Sequence, residues 1–155
     1  EFGSRALGNR SILVDPRRAD AKDLLNKKIK RRETFRPFAP SIIKEYISDY
    51  FLQEDNAYFM EKVFEIKEEK REKIPAVTHV DGTGRLHSVD SSISPRYYQL
   101  IHTFYNRTNV PILLNTSFNE NEPIVNSPEE ALECFLRTKM DLLVIGNIII
   151  ERSND

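Results

Sequence analysis

This 155-residue sequence predicts an α/β fold, a twisted mixed sheet flanked by helices, on three observations. Strand-sized apolar runs such as Ser11-Ile12-Leu13-Val14, Val110-Pro111-Ile112-Leu113-Leu114 and Leu142-Leu143-Val144-Ile145 alternate with segments of helical spacing. Ser94-Pro95 and Ser127-Pro128 each read as a helix start with proline in the first turn. No internal repeat or low-complexity linker divides the chain, so residues 1–155 form one domain with room for a proper core.

In chain order, Ser11 to Val14 is a short strand stopped by Asp15-Pro16, and Asp20 is the expected N-cap of a helix to Lys28. Phe35 to Ile43 carries Pro37 and Pro40, which fits an extended segment at a sheet edge or bulge. Ile42 to Phe51 has a helical apolar face at Ile43, Tyr46, Ile47, Tyr50 and Phe51, with Ser41 as its cap. Met60 to Ile66 reads as a strand, followed by a solvated run from Lys67 to Lys73. Ala76 to Val80 and Arg85 to Val89 flank Asp81-Gly82-Thr83-Gly84 and predict a hairpin in which His79 faces His87. A helix from Ser94-Pro95 to about Arg107 has Tyr98, Ile101, His102 and Tyr105 on one side. A buried strand at 110–114, a helix from Ser127 to about Thr138 and strands at 142–145 and 148–150 complete the order.

Composition excludes several classes. Hydrophobic content of 39% with 30% charge is that of a soluble globular protein, and no apolar stretch is long enough to span a membrane. The opening Glu1-Phe2-Gly3 has no signal-peptide character, and the single Cys134 agrees with a reducing cytoplasm. Without cysteine pairs or clustered histidines, no metal site is expected, and Cys134 beside Phe135 and Leu136 reads as core. A net charge of −1 argues against long-range attraction to nucleic acid. The charge is uneven, with nine bases against three acids in residues 17–36 and five acids with no base in residues 120–133. A local basic stretch suits a small anion better than a polymer.

The apolar run 110–114 ends on Asn115-Thr116-Ser117-Phe118-Asn119, and ligands of open α/β sheets sit beyond the carboxyl ends of strands. Small polar residues there supply short donors and free backbone N–H groups. Arg5 to Ser11 and Lys30 to Phe38 supply the cations. Together they imply an oxyanion pocket for phosphate and a planar carbonyl compound. Blander readings stand beside this one: Lys30-Arg31-Arg32 as a solvated face, Asn115 and Asn119 as Asx-turn residues, and Ser117 as a turn residue with no base to activate it.

Arg5-Ala6-Leu7-Gly8-Asn9-Arg10-Ser11, Asp15-Pro16-Arg17, Phe35-Arg36-Pro37-Phe38-Ala39-Pro40, Val80-Asp81-Gly82-Thr83-Gly84-Arg85, Leu114-Asn115-Thr116-Ser117-Phe118-Asn119 and Phe135-Leu136-Arg137-Thr138 stand in one order. These motifs, over almost the whole chain, resemble the carboxy-terminal domain of NodU/CmcH-type carbamoyltransferases. The resemblance implies a YrdC-like fold that binds ATP with Mg²⁺ and carbamoyl phosphate and forms a carbamoyl-adenylate. It implies a catalytic set of Lys30, Arg36, Ser117 and Asn119, with Arg5, Arg85, Asn115 and Thr116 as substrate or nucleotide contacts. It also implies a preceding actin/hexokinase-like domain, outside this chain, that holds iron and passes the carbamoyl group to a small-molecule hydroxyl. Rival readings are a nucleic-acid module using residues 27–36 with Phe35 and Phe38 as stacking surfaces, and an inactive interdomain module.

Overall fold

The computed structural model describes residues 5–153. Its strands are β1 (Ser11–Val14), β2 (Ala39–Ile43), β3 (Lys62–Glu65), β4 (Thr83–Val89), β5 (Ile112–Ser117), β6 (Leu142–Ile145) and β7 (Ile148–Glu151). The helices are α1 (Ala21–Leu24), α2 (Ile47–Tyr50), α3 (Glu68–Arg71), α4 (Pro95–Thr108) and α5 (Pro128–Arg137). The first five strands make one sheet in the order β1-β5-β2-β4-β3. Only β2 and β4 run parallel within it, so the sheet is mixed, as the sequence predicts.

β2 lies in the middle of this sheet and not at an edge. Pro40 is tolerated because pairing with β4 begins one residue later, at Ser41 opposite His87. Ile42 and Ile43 belong to β2 and are fully buried between neighbouring strands. The helical pattern from Ile42 therefore starts late, as a 3-10 turn at Lys44–Tyr46 leading into α2, and Ser41 caps nothing. The apolar spacing at 42–51 satisfied both periods, and burial on two faces decided for the strand.

The expected hairpin around Asp81-Gly82 is half present. The turn exists, with Gly82 N–H donating to the His79 carbonyl at 3.0 Å and a Gly82 φ of 81°. Ala76 and Val77 fill the core from a turn, however, and β4 takes β3 as its antiparallel neighbour. His79 and His87 consequently have different partners, Thr83 and Ser41. Asp20 makes no capping bond and instead pairs with Arg18 at 2.8 Å. Ser127 caps α5, accepting from the Glu130 N–H at 3.2 Å.

β5 continues through Ser117, beyond the expected loop boundary, because β1 pairs with it from Ser11–Ser117 to Val14–Leu114. One edge of the Asn115 to Ser117 backbone is thus taken by β1, while pairing with β2 stops at Asn115 opposite Ala39. β6 and β7 form a separate two-stranded sheet, packed through Leu143, Ile145 and Ile150 onto the main core. Its other face, Leu142, Val144 and Ile149, is exposed. Among the described residues, no helix is long and apolar enough to cross a membrane.

Candidate functional site

Past Leu24 the first helix widens into a π-helical turn, Leu25–Ile29, a form frequent at functional sites. The wider turn buries Asn26 and Lys30 together. Asn26 organises the basic loop that follows. Its Nδ2 donates to the carbonyls of Thr34 and Arg36, both at 3.1 Å, and its Oδ1 accepts from Arg32 Nε at 2.8 Å. Arg31 adopts a left-handed φ of 43°, reversing the chain. Arg31 then pairs with Glu120 at 2.8 Å, while the Arg32 guanidinium stacks 5.0 Å over the Phe38 ring.

Lys30 is only 2% exposed. Its ammonium donates to the carbonyls of Ser117 and Asn119 at 2.6 and 2.7 Å and lies within reach of Asn119 Oδ1 and Ser117 Oγ. Burial pushes its pKa down to about 8. Asn119 is fixed in turn, with Nδ2 donating to the Glu122 carbonyl at 2.6 Å and Oδ1 accepting from the Ser117 hydroxyl at 2.8 Å. Residues 30–31 and 117–122 are therefore laced together.

Beside this lace, where β2 and β4 begin and β5 ends, opens a cavity of about 360 Å³. Arg5, Arg32, Arg36 and Arg85 line it with Asn115, Thr116, Ser117 and His79, and among the described residues no Asp or Glu is in its walls. Six of the eight sequence-derived site residues, Arg5, Arg36, Arg85, Asn115, Thr116 and Ser117, thus meet in one place. Lys30 and Asn119 border a second hollow of about 410 Å³, joined to the first through Arg32, Arg36 and Ser117. Arg36 also contacts Glu33, Nε to carboxylate at 2.9 Å, on the exposed rim. Among the described residues, the side chains of Arg5 and Arg85 make no ion pair or hydrogen bond. Four guanidinium groups without a wall carboxylate concentrate positive potential, the condition for holding a multiply charged oxyanion.

Two wall residues escaped sequence reasoning. Arg32 stood in a basic run with nothing to separate it from its neighbours, and the reversal at Arg31 is what turns it inward. His79 was set aside with His87, yet it lines the cavity, its Nδ1 3.1 Å from the Thr83 hydroxyl, which donates to Asp81 at 2.7 Å. Burial lowers the His79 pKa below the usual imidazole value, so the ring is neutral near pH 7. Cys134 is buried and far from nucleophilic, its pKa pushed up to about 11 by burial.

The strand ends of this mixed sheet thus present guanidinium, amide and hydroxyl groups to one cationic cavity in an α/β domain. Residues 1–152 match the family model described as carbamoyltransferase C-terminus, and the chain belongs to that family. It is 51% identical over 98% of its length to the nodulation protein NolNO of Sinorhizobium fredii, of which it covers 23%. It is 49% identical over 98% of its length to the nodulation protein NolO of Bradyrhizobium diazoefficiens, covering 28% of that protein. A 3'-hydroxymethylcephem-O-carbamoyltransferase of Amycolatopsis lactamdurans is 36% identical over 99% of the chain, which covers 29% of that relative. The chain thus spans between 23% and 29% of these three relatives.

Proposed function

We propose that this domain binds ATP and carbamoyl phosphate in the cationic cavity and forms a carbamoyl-adenylate, within an O-carbamoyltransferase that uses it on a small-molecule hydroxyl. The observation that carries this reading is the set of four arginines around a cavity with no acidic wall, next to the neutral donors Asn115, Thr116 and Ser117. Arginine forks match phosphate oxygens, and neutral amide or hydroxyl donors match a planar carbamoyl carbonyl. The fold in this reading is YrdC-like, and the domain is the carboxy-terminal part of a longer polypeptide.

The chemistry has two balanced steps. Water cleaves the phosphoryl group from carbamoyl phosphate, leaving carbamate and inorganic phosphate. A carbamate oxygen then attacks the α-phosphorus of ATP, the bond from that phosphorus to the bridging oxygen breaks, and pyrophosphate leaves. Two anions must approach and charge builds on phosphorus, so Arg5, Arg32, Arg36 and Arg85 act by lowering that repulsion. Mg²⁺ would come with the nucleotide, held by its phosphate oxygens and water, since no described wall residue offers it a carboxylate. Next to the cavity, Phe35, Pro37 and Val80 edge a shallow groove that shares His79 with it. Phe35 is 74% exposed, an apolar surface for the base of a nucleotide. Ser117 orients ligand here, and Lys30 and Asn119 hold the strand end that carries it.

Iron and the acceptor hydroxyl belong, in this reading, to the preceding part of the polypeptide. The exposed face of Leu142, Val144 and Ile149 offers that part an apolar surface to pack on. The test is release of pyrophosphate from ATP·Mg²⁺ when carbamoyl phosphate is added, assayed on the chain alone and joined to its preceding part. Release that depends on carbamoyl phosphate and is lost in Arg36→Ala supports the reading. Nucleotide turnover indifferent to carbamoyl phosphate, or none in either form, sinks it.

A further inference from the structure

A row of buried polar side chains lies under the cavity and takes no part in the reading above. Positions 39, 41 and 43 of β2, 85, 87 and 89 of β4, and 113, 115 and 117 of β5 share one sheet face by the two-residue period. Helix α4 covers the far end of that face, with Tyr97 and Ile101 packed among Ile43, Val89 and Leu113. The cavity opens over the near end, at Ala39, Arg85, Asn115 and Ser117. Between the two stand Ser41, His87 and Tyr97, all buried.

Their hydrogen bonds have a direction. Asn115 Nδ2 donates to Ser41 Oγ at 3.0 Å, so the Ser41 hydroxyl is free to donate to His87 Nδ1, 2.8 Å away. That requires a neutral imidazole protonated on Nε2, and burial favours neutrality by pushing the His87 pKa down to about 4. The His87 and Tyr97 rings stack with centroids 5.9 Å apart. Of the buried side-chain atoms that lack a hydrogen-bond partner, two belong to this row, the Tyr97 hydroxyl and Asn115 Oδ1, a donor and an acceptor on neighbouring side chains. Gly8, at a φ of 95°, lies flat against the Tyr97 ring, where a Cβ would collide with it. The arginine-bearing turn after Arg5 is thereby seated on the same tyrosine.

We propose that Ser41, His87 and Tyr97 are positioning residues that fix the Asn115 carboxamide, so that its second Nδ2 proton meets the carbonyl oxygen of a carbamoyl ligand in the cavity. This rests on the carbamoyl-binding reading above. The partnerless Tyr97 hydroxyl needs only to turn to the partnerless Asn115 Oδ1 to close the array, and of the Nδ2 protons one is held by Ser41 and the other is left, on a cavity wall, for the ligand. The array therefore selects a planar carbonyl and is indifferent to phosphate, whose contacts come from the arginines.

Tyr97→Phe and Ser41→Ala test this, because each removes one hydroxyl and keeps the surrounding packing. The first measurement needs no ligand: the side-chain amide signals of Asn115 in a ¹⁵N-labelled chain. Slowly exchanging, well-separated protons in the parent and faster exchange in both variants are expected. Unchanged signals in both would overturn the positioning role. The second compares dissociation constants for carbamoyl phosphate and inorganic phosphate. About a fivefold loss of preference for carbamoyl phosphate is expected in each variant, with phosphate affinity retained, for one neutral hydrogen bond of about 1 kcal/mol. Equal loss for both ligands would mean a merely structural role and contradict the proposal. A parent chain that binds neither ligand would count against the carbamoyl-binding reading alone, and the amide signals would still decide the positioning.

Discussion

Two sets of cations meet at the end of the β5 strand, and the chain treats them in opposite ways. Lys30 and Arg31 face inward to the protein itself, the first on the carbonyls of Ser117 and Asn119, the second on Glu120. The side chains of Arg5 and Arg85 have no such partner among the described residues and line the cavity. The lesson is that a basic residue near a phosphate site is read by what else satisfies it. A buried ammonium surrounded by carbonyls holds the backbone in place, whereas an unsatisfied guanidinium on a cavity wall keeps its donors for an anion in the reading proposed above.

That contrast breaks most readily at Lys30. Lys30→Met keeps the apolar stem but leaves the Asn119 carbonyl without its donor and takes one of two donors from the Ser117 carbonyl and Asn119 Oδ1. A loss of about 3–5 kcal/mol in unfolding free energy is expected by urea titration. Arg85→Ala, made for comparison on an exposed residue, is expected to stay within about 0.5 kcal/mol of the parent. Similar losses in the two variants would erase the distinction.

The floor of the cavity gives a pH signature. Burial holds the His87 pKa at about 4 in the folded chain against 6.5 ordinarily, so between those values the unfolded chain binds more protons. Stability from this group is full above pH 6.5 and is lost as pH falls to about 4. The span corresponds to about 3 kcal/mol. His87→Gln is expected to flatten that part of the profile, and a variant profile parallel to the parent's would assign the acid sensitivity elsewhere.

Asn26→Ala sharpens the comparison on the cavity side, since one amide ties the backbone of Thr34 and Arg36 to the Arg32 side chain. About 2 kcal/mol of stability should go with it, and faster amide exchange should be confined to residues 32–36. Loss of protection throughout the sheet would show that Asn26 supports the whole fold. Ser127→Ala removes an ordinary helix cap far along the chain from both sets and is expected to cost about 1 kcal/mol, with no effect on anion binding.

Much of this was legible in the residues. Proline and serine at 94–95 and 127–128 marked both long helices, because proline in a first turn is a local signal, though only Ser127 makes a capping bond. The five strands of the main sheet left readable traces, yet their neighbours did not. Ala76 and Val77 are apolar enough for a strand and instead fill the core from a turn, since nothing in a short apolar run says which strand it pairs with. At 42–51 the same residues satisfied two periods, and two-sided burial chose one. For the site, motif resemblance collected six wall residues, but the separate duties of Lys30 and Arg32 depend on a left-handed Arg31 that no composition reveals. The Asn26 and Ser41 hubs were equally silent, each a common polar residue whose meaning comes from burial alone.

The central claim is that the cavity wall binds a phosphate-bearing ligand and the lace does not. Calorimetric titration of ATP·Mg²⁺, with and without carbamoyl phosphate, into the parent chain, Arg36→Ala and Arg85→Ala tests it most directly. Saturable binding in the parent is expected, weakened about tenfold in each variant while the unfolding midpoint holds, the scale of one charge-assisted contact. No saturable heat in the parent, or undiminished binding in both variants, would contradict it.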